Sequence, residues 1–140
     1  MKIVPDTNVL VAALLFPLGA CARILDLVLD GAIGICADNR MLQEYEDVLH
    51  RKELALPVAA VRAVLDFLRE SAEPIAARPL ATTLPDPDDL PVLEVAATAE
   101  AVLVTGNLRH FPKKACRAVR VIGPAECLEL LRRAEGKGKP

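Results

Sequence analysis

Asp6, Glu44, Asp86, Asp88 and Asp89 are acids whose places in the chain allow several of them to meet. Asp6 closes the short run Lys2-Ile3-Val4-Pro5 and leads into Thr7 and Asn8. A matching pattern recurs at Ala101-Val102-Leu103-Val104, which is followed by Thr105-Gly106-Asn107. Carboxylates a few Å apart repel, and raise one another's pKa unless a cation lies between them. Hard oxygen donors without imidazole or thiolate select Mg2+ or Mn2+. Such an ion bridges phosphate oxygens, lowers the pKa of a water and steadies a departing oxyanion, which is phosphodiester hydrolysis. Any one of these acids taken alone reads more simply as a helix cap or a solvated turn.

Whether they meet depends on the elements that carry them. Lys2 to Pro5, Ile33 to Ala37, Ala101 to Val104 and Val119 to Ile122 read as short strands. Helices separate them. One spans Arg23 to Asp30 and is stopped by Gly31. Another is capped by Asp38 or Asn39, with the stripe Met41, Leu42, Tyr45, Val48 and Leu49. Pro57 opens a third, with Val58, Val61, Leu65 and Leu68 on one side. A helix runs from Val92 to about Ala99, and Gly123-Pro124 starts the last, with Glu126 in its first turn and Arg132-Arg133 in its last. Residues 73–91 hold Pro74, Pro79, Pro85, Pro87 and Pro91 and form a connection with a short strand near Ile75.

Nearly all-apolar strands alternating with helices predict a three-layer α/β/α sandwich with a mostly parallel sheet. In such a sheet the residues just past the carboxyl ends converge on one crevice. Asp6 and Thr105 to Asn107 occupy that position, and Asp86, Asp88 and Asp89 stand at the start of the helix feeding the second of the two strands. Glu44 falls roughly 100° from the centre of its helix stripe, on the border beside Val48. Periodicity alone makes it a surface charge more readily than a ligand.

Composition narrows the function. The 140 residues suit one domain, assigned to 1–135, with 136–140 as a disordered tail. Three Phe, one Tyr and no Trp argue against binding nucleic acid on an aromatic stacking platform. Residues 1–104 hold 8 Lys/Arg and 16 Asp/Glu, whereas 105–140 hold 9 and 3. An acidic cluster beside a basic segment suits a metal site next to a phosphate-binding surface, and a solvated basic tail accounts for it equally. Cys21, Cys36, Cys116 and Cys127 are widely spaced and lie among apolar residues, which fits buried free thiols in a reducing cytoplasm. The run Val9 to Phe16, followed by Leu18-Gly19-Ala20-Cys21-Ala22, resembles a secretion signal. Asp6 and the single Lys2 before it argue against export, and Pro17 and Gly19 interrupt any membrane span.

Taken in order, Asp6-Thr7-Asn8-Val9-Leu10, Glu44, Asp86-Pro87-Asp88-Asp89, Val102 to Asn107, Arg109-His110-Phe111-Pro112 and Pro124-Ala125-Glu126 resemble the motifs of the PIN domain. The similarity runs nearly end to end and is nearest to the VapC-like toxin components of toxin–antitoxin pairs. It implies a flavodoxin-like fold and Mg2+- or Mn2+-dependent cleavage of single-stranded RNA. By position, Asp6, Glu44 and Asp89 match the catalytic, metal-binding acids, with Asp86 and Asp88 competing for the third place. Thr7, Asn8 and Thr105 match residues that orient those carboxylates. Asn107 stands where many members carry a fourth acid, which removes one charge and favours one tightly held ion over two.

Arg109, Lys113 and Lys114 are placed to hold RNA phosphates, and no catalytic role falls to His110 or His50. The expected partners are single-stranded RNA and a small antitoxin, with a homodimer compatible with the striped helices. Two rival readings remain. One is an inactive PIN-fold binding module, motivated by Asn107. The other is a haloacid-dehalogenase-type phosphatase with Asp6 as nucleophile, disfavoured because Asn8 replaces its second Asp.

Overall fold

The computed structural model describes residues 1–137. Its strands are β1 (Lys2–Pro5), β2 (Gly34–Ala37), β3 (Glu73–Pro74), β4 (Val102–Val104) and β5 (Val121–Ile122). Its helices are α1 (Thr7–Leu15), α2 (Ala20–Leu29), α3 (Asn39–Leu49), α4 (Val58–Ser71), α5 (Leu90–Ala99), α6 (Lys113–Cys116) and α7 (Pro124–Lys137). The strands are parallel and form one sheet in the order β3-β2-β1-β4-β5. Ile3, Val4, Leu103 and Val104 are wholly buried, so both faces of the central strands are covered. That burial is why these strands lack a polar alternation, and the domain is a three-layer α/β/α sandwich.

The order of the strands positions the site. From β1 the chain moves outward to β2 and β3, then returns to lay β4 on the other side of β1, with β5 beyond it. The direction of winding reverses between β1 and β4, and a crevice opens at the carboxyl ends of those two strands. Pro5 is in register with Val104, and the Asp6 N–H donates to the Val104 carbonyl at 2.8 Å. Asp6 and Thr105 therefore leave their strands at one level.

The returning segment, residues 75–86, has no regular structure and borrows its partners from α5 and α6. The Arg78 N–H donates to the Thr98 hydroxyl at 2.9 Å and the Leu80 N–H to Glu94 Oε2 at 2.8 Å. The Thr82 hydroxyl donates to the Ala115 carbonyl at 3.0 Å. Glu94 is 5% exposed and its charge is matched by Arg40 at 2.8 Å, which also pairs with Asp38, the cap of α3. A buried carboxylate needs such a partner. This one joins α3, α5 and the return segment at the rim of the sheet.

Several boundaries differ from those read in the sequence. The third strand in chain order pairs at Glu73 and Pro74, one residue before Ile75, whose N–H still bonds the Ala37 carbonyl at 3.0 Å. Pro57 precedes α4 as its cap, and Val58, expected on the buried side, is 72% exposed in the first turn. Val61, Val64, Leu65 and Leu68 form the buried side instead. Helix α5 starts at Leu90 because Pro91 fits a first turn. The last strand begins at Val121, since Val119 is held in a turn to the Cys116 carbonyl across Arg117 at φ 52°. Arg132 and Arg133 lie within α7, paired with Glu129, and the last turn lies beyond them. Gly136 and Lys137, assigned to the tail, continue that helix; 138–140 lie outside the described residues.

The apolar run after Asp6 is a core helix, with Val9, Leu10 and Ala13 buried. No single described helix is long and apolar enough to cross a membrane. All four thiols are free, with Cys36, Cys116 and Cys127 buried and Cys21 half-buried.

Tyr45, wholly buried on α3, donates its hydroxyl to the Pro5 carbonyl at the end of β1. Tyr45→Phe strands that carbonyl and should cost about 1–3 kcal/mol of stability. Urea denaturation at pH 7 measures the loss; an unchanged midpoint would show that the bond contributes nothing.

Candidate metal centre

Asp6 serves two purposes at the reversal of strand order. Its backbone caps α1, and its Oδ1 accepts from the Thr7 N–H at 2.9 Å. Oδ2 accepts the Thr105 hydroxyl at 2.9 Å and the Asn8 amide at 3.2 Å. Three of the four lone-pair positions of this carboxylate are thereby filled, leaving one directed elsewhere. Burial pushes the Asp6 pKa up, the Thr105 and Thr7 donors pull it back, and the neighbouring charge of Asp86 raises it further.

The loops after β1 and β4 are stitched together by the same small groups. Thr105 spends its only O–H on Asp6 and accepts from the Asn107 N–H at 3.0 Å. The Asn8 carbonyl oxygen accepts from the Gly106 N–H at 3.0 Å. Glu44 enters through Thr7, whose hydroxyl donates to its Oε2. The helix border thus faces the first turn of α1, and Glu44 is half-buried there.

Asp86, Asp89 and His110 form the other wall. One ligand atom from each lies within 4.8 Å of the others. His110 Nδ1 is 2.9 Å from Asp89 Oδ2. Asp86 Oδ1 caps the 3-10 turn Pro87–Asp89 by accepting from the Asp88 N–H at 2.9 Å. Asp88 is exposed and takes no part in this group, whereas Asp86, a weaker claimant in the sequence, does. The Asp89 pKa is pushed up to about 6 by burial and by the charges of Asp6 and Asp86, with His110 acting the other way. Among the described residues, Asp86, Asp89 and His110 are the ones whose ligand atoms come within 4.8 Å of one another as a set of three; Asp6 and Glu44 stand outside that set.

Asn107 is half-buried at the head of the 3-10 turn Leu108–His110, and its side chain makes no capping bond. Arg109, Lys113 and Lys114 are exposed on that turn and on α6. Sequence reasoning missed His110 as a neighbour of the acids; its place three residues after Asn107 was the available signal. The donor set, carboxylate oxygens with one imidazole and no thiolate, fits a hard or borderline divalent cation.

A family model described as a PIN domain matches residues 2–109, more than half the chain. No curated protein sequence matches. A chain in the crystal structure of VapBC2 from Rickettsia felis, bound to a DNA fragment from their promoter, shares the fold with a TM-score of 0.57 at 19% identity. The alignment covers 88% of this chain and 98% of that one.

The raised Asp89 pKa carries a stability consequence. Its protonated form favours the folded state, so that contribution is complete below about pH 4 and lost as pH rises through about 6. Asp89→Asn removes the repulsion and should raise the Tm of metal-free protein at pH 7.5 more than at pH 4.5. Thermal denaturation in EDTA tests this, and equal shifts at both pH values would contradict it.

Proposed function

Because this chain belongs to the PIN domain family, we propose that it is a divalent-metal-dependent ribonuclease acting on single-stranded RNA. Asp6, Glu44 and Asp89 hold the ion, and the Asn107 amide adds an oxygen or steadies a water. The observation that carries this reading is a 6%-exposed carboxylate, Asp6, facing other acids where the strand order reverses. A divalent ion held there would supply Lewis acidity and a water of lowered pKa for phosphodiester hydrolysis, and a 5′-phosphate product is what the family resemblance implies.

The protein's own groups do the positioning. Thr105 and Asn8 hold the Asp6 carboxylate at one angle, and Thr7 holds Glu44. Donors of this kind keep ligands preorganised and free of reorganisation cost. Arg109, Lys113 and Lys114 line the approach and bind phosphates of the incoming strand. Scarcity of aromatics leaves charge as the main grip on the RNA.

The fold shared with a chain of the VapBC2 structure supports a toxin role in a toxin–antitoxin pair, with a small antitoxin covering the cleft. Free thiols suit a reducing cytoplasm. Asn107 favours a second reading, a PIN fold that binds without cutting.

Incubation of the purified chain with single-stranded RNA and Mn2+ decides between them. Wild-type protein should cut, Asp6→Asn should not, and Thr105→Val should be slower by about 10–100-fold. Intact RNA with wild-type protein, or equal cutting by wild type and Asp6→Asn, sinks the nuclease reading.

A further inference from the structure

The cleft contains a nitrogen donor, His110, to which the sequence motifs assign no role. His110 lies one residue beyond the stretch matched by the family model, on the 3-10 turn that Asn107 begins. Its ring is turned inward: Nδ1 is 2.9 Å from Asp89 Oδ2, although the residue is only half-buried and two exposed neighbours, Leu108 and Arg109, point to solvent. Asp86 stands opposite, with Oδ1 occupied by the Asp88 N–H and Oδ2 left for another partner.

The spacing matches what an ion requires. Adjacent donors on an octahedral ion with bonds of about 2.1 Å are roughly 3 Å apart, and opposite donors roughly 4.2 Å. His110 Nδ1 and Asp89 Oδ2 are hydrogen-bonded at 2.9 Å, a separation that adjacent donors on an ion would keep. One ligand atom from each of Asp86, Asp89 and His110 lies within 4.8 Å of the others, so that closing the group on an ion needs a side-chain movement of under about 1 Å. The charge inventory points the same way. Asn107 brings no charge to the cleft, and His110, three residues on, brings a nitrogen donor that carries no negative charge.

We propose that His110 and Asp86 ligate the same divalent ion as Asp89, so that an imidazole nitrogen joins the carboxylate oxygens of the donor set. This rests on the reading that the cleft holds such an ion. Imidazole binds Mn2+, Co2+ and Zn2+ in preference to Mg2+, which keeps to oxygen. The chain is therefore tuned away from Mg2+. Losing the nitrogen costs Mn2+ more affinity than Mg2+.

Electron spin-echo spectroscopy of Mn2+ added to untagged protein tests the assignment directly, because a bound 14N nucleus modulates the signal. Modulation is expected in wild type and in His50→Ala, is altered by 15N-histidine labelling and is absent in His110→Ala. Calorimetry should show at least about a tenfold loss of Mn2+ affinity in His110→Ala, with a smaller loss for Mg2+. Mn2+ bound to wild type without nitrogen modulation overturns the assignment and leaves the metal-dependent reading standing; His110 then only positions Asp89. Failure of wild type to bind Mn2+ or Mg2+ overturns both. The wild-type spectrum alone separates these outcomes, whatever the folding of the variants.

Discussion

The Thr105 hydroxyl donates to the Asp6 carboxylate across 99 residues of sequence, deep at the seam where β1 meets β4. The carboxylate is buried because the sheet is covered on both faces, and a buried carboxylate requires donors. Thr105, Thr7 and Asn8 supply them. Thr7 also holds Glu44, Asn8 receives the Gly106 N–H, and Thr105 receives the Asn107 N–H. The carboxyl rim is thus shaped around one acid and its three neighbours.

That arrangement is electrostatically expensive. Burial raises the pKa of both Asp6 and Asp89, the neighbouring acids add to it, and Thr105, Thr7 and His110 pull the other way at Asp6, as His110 does at Asp89. Elsewhere the chain treats buried charge differently. Glu94 is fully matched by Arg40 and the Leu80 N–H, and it serves to fasten the return segment. A satisfied acid at Glu94 thus contrasts with acids at Asp6 and Asp89 whose pKa values are raised, the pattern by which candidate functional carboxylates are recognised. Arg109, Lys113 and Lys114 are exposed to solvent.

Asn107 and His110 give the cleft its individual character. Asn107 contributes an amide, which carries no charge. His110 sets an imidazole beside Asp89. Both residues sit on a short 3-10 turn immediately past β4. A loop at that place can vary its chemistry while the sheet beneath it stays the same.

Much of the architecture was legible from local pattern alone. Apolar runs ending at Asp6, Ala37 and Val104 located three strands, and Gly31 and Asp38 marked helix boundaries, because periodicity and capping act over a few residues. The order of the polar groups past those strands already pointed to a shared rim. What only the folded chain decided was which side chains face one another. Glu44 was ambiguous on its helix until packing set it against Thr7. Asp86 rather than Asp88 came to lie beside Asp89 and His110. His110 met Asp89 through a turn whose direction no propensity specifies. Periodicity describes one element at a time, whereas ligand geometry arises from the relative placement of four or five elements, and tertiary packing alone sets that.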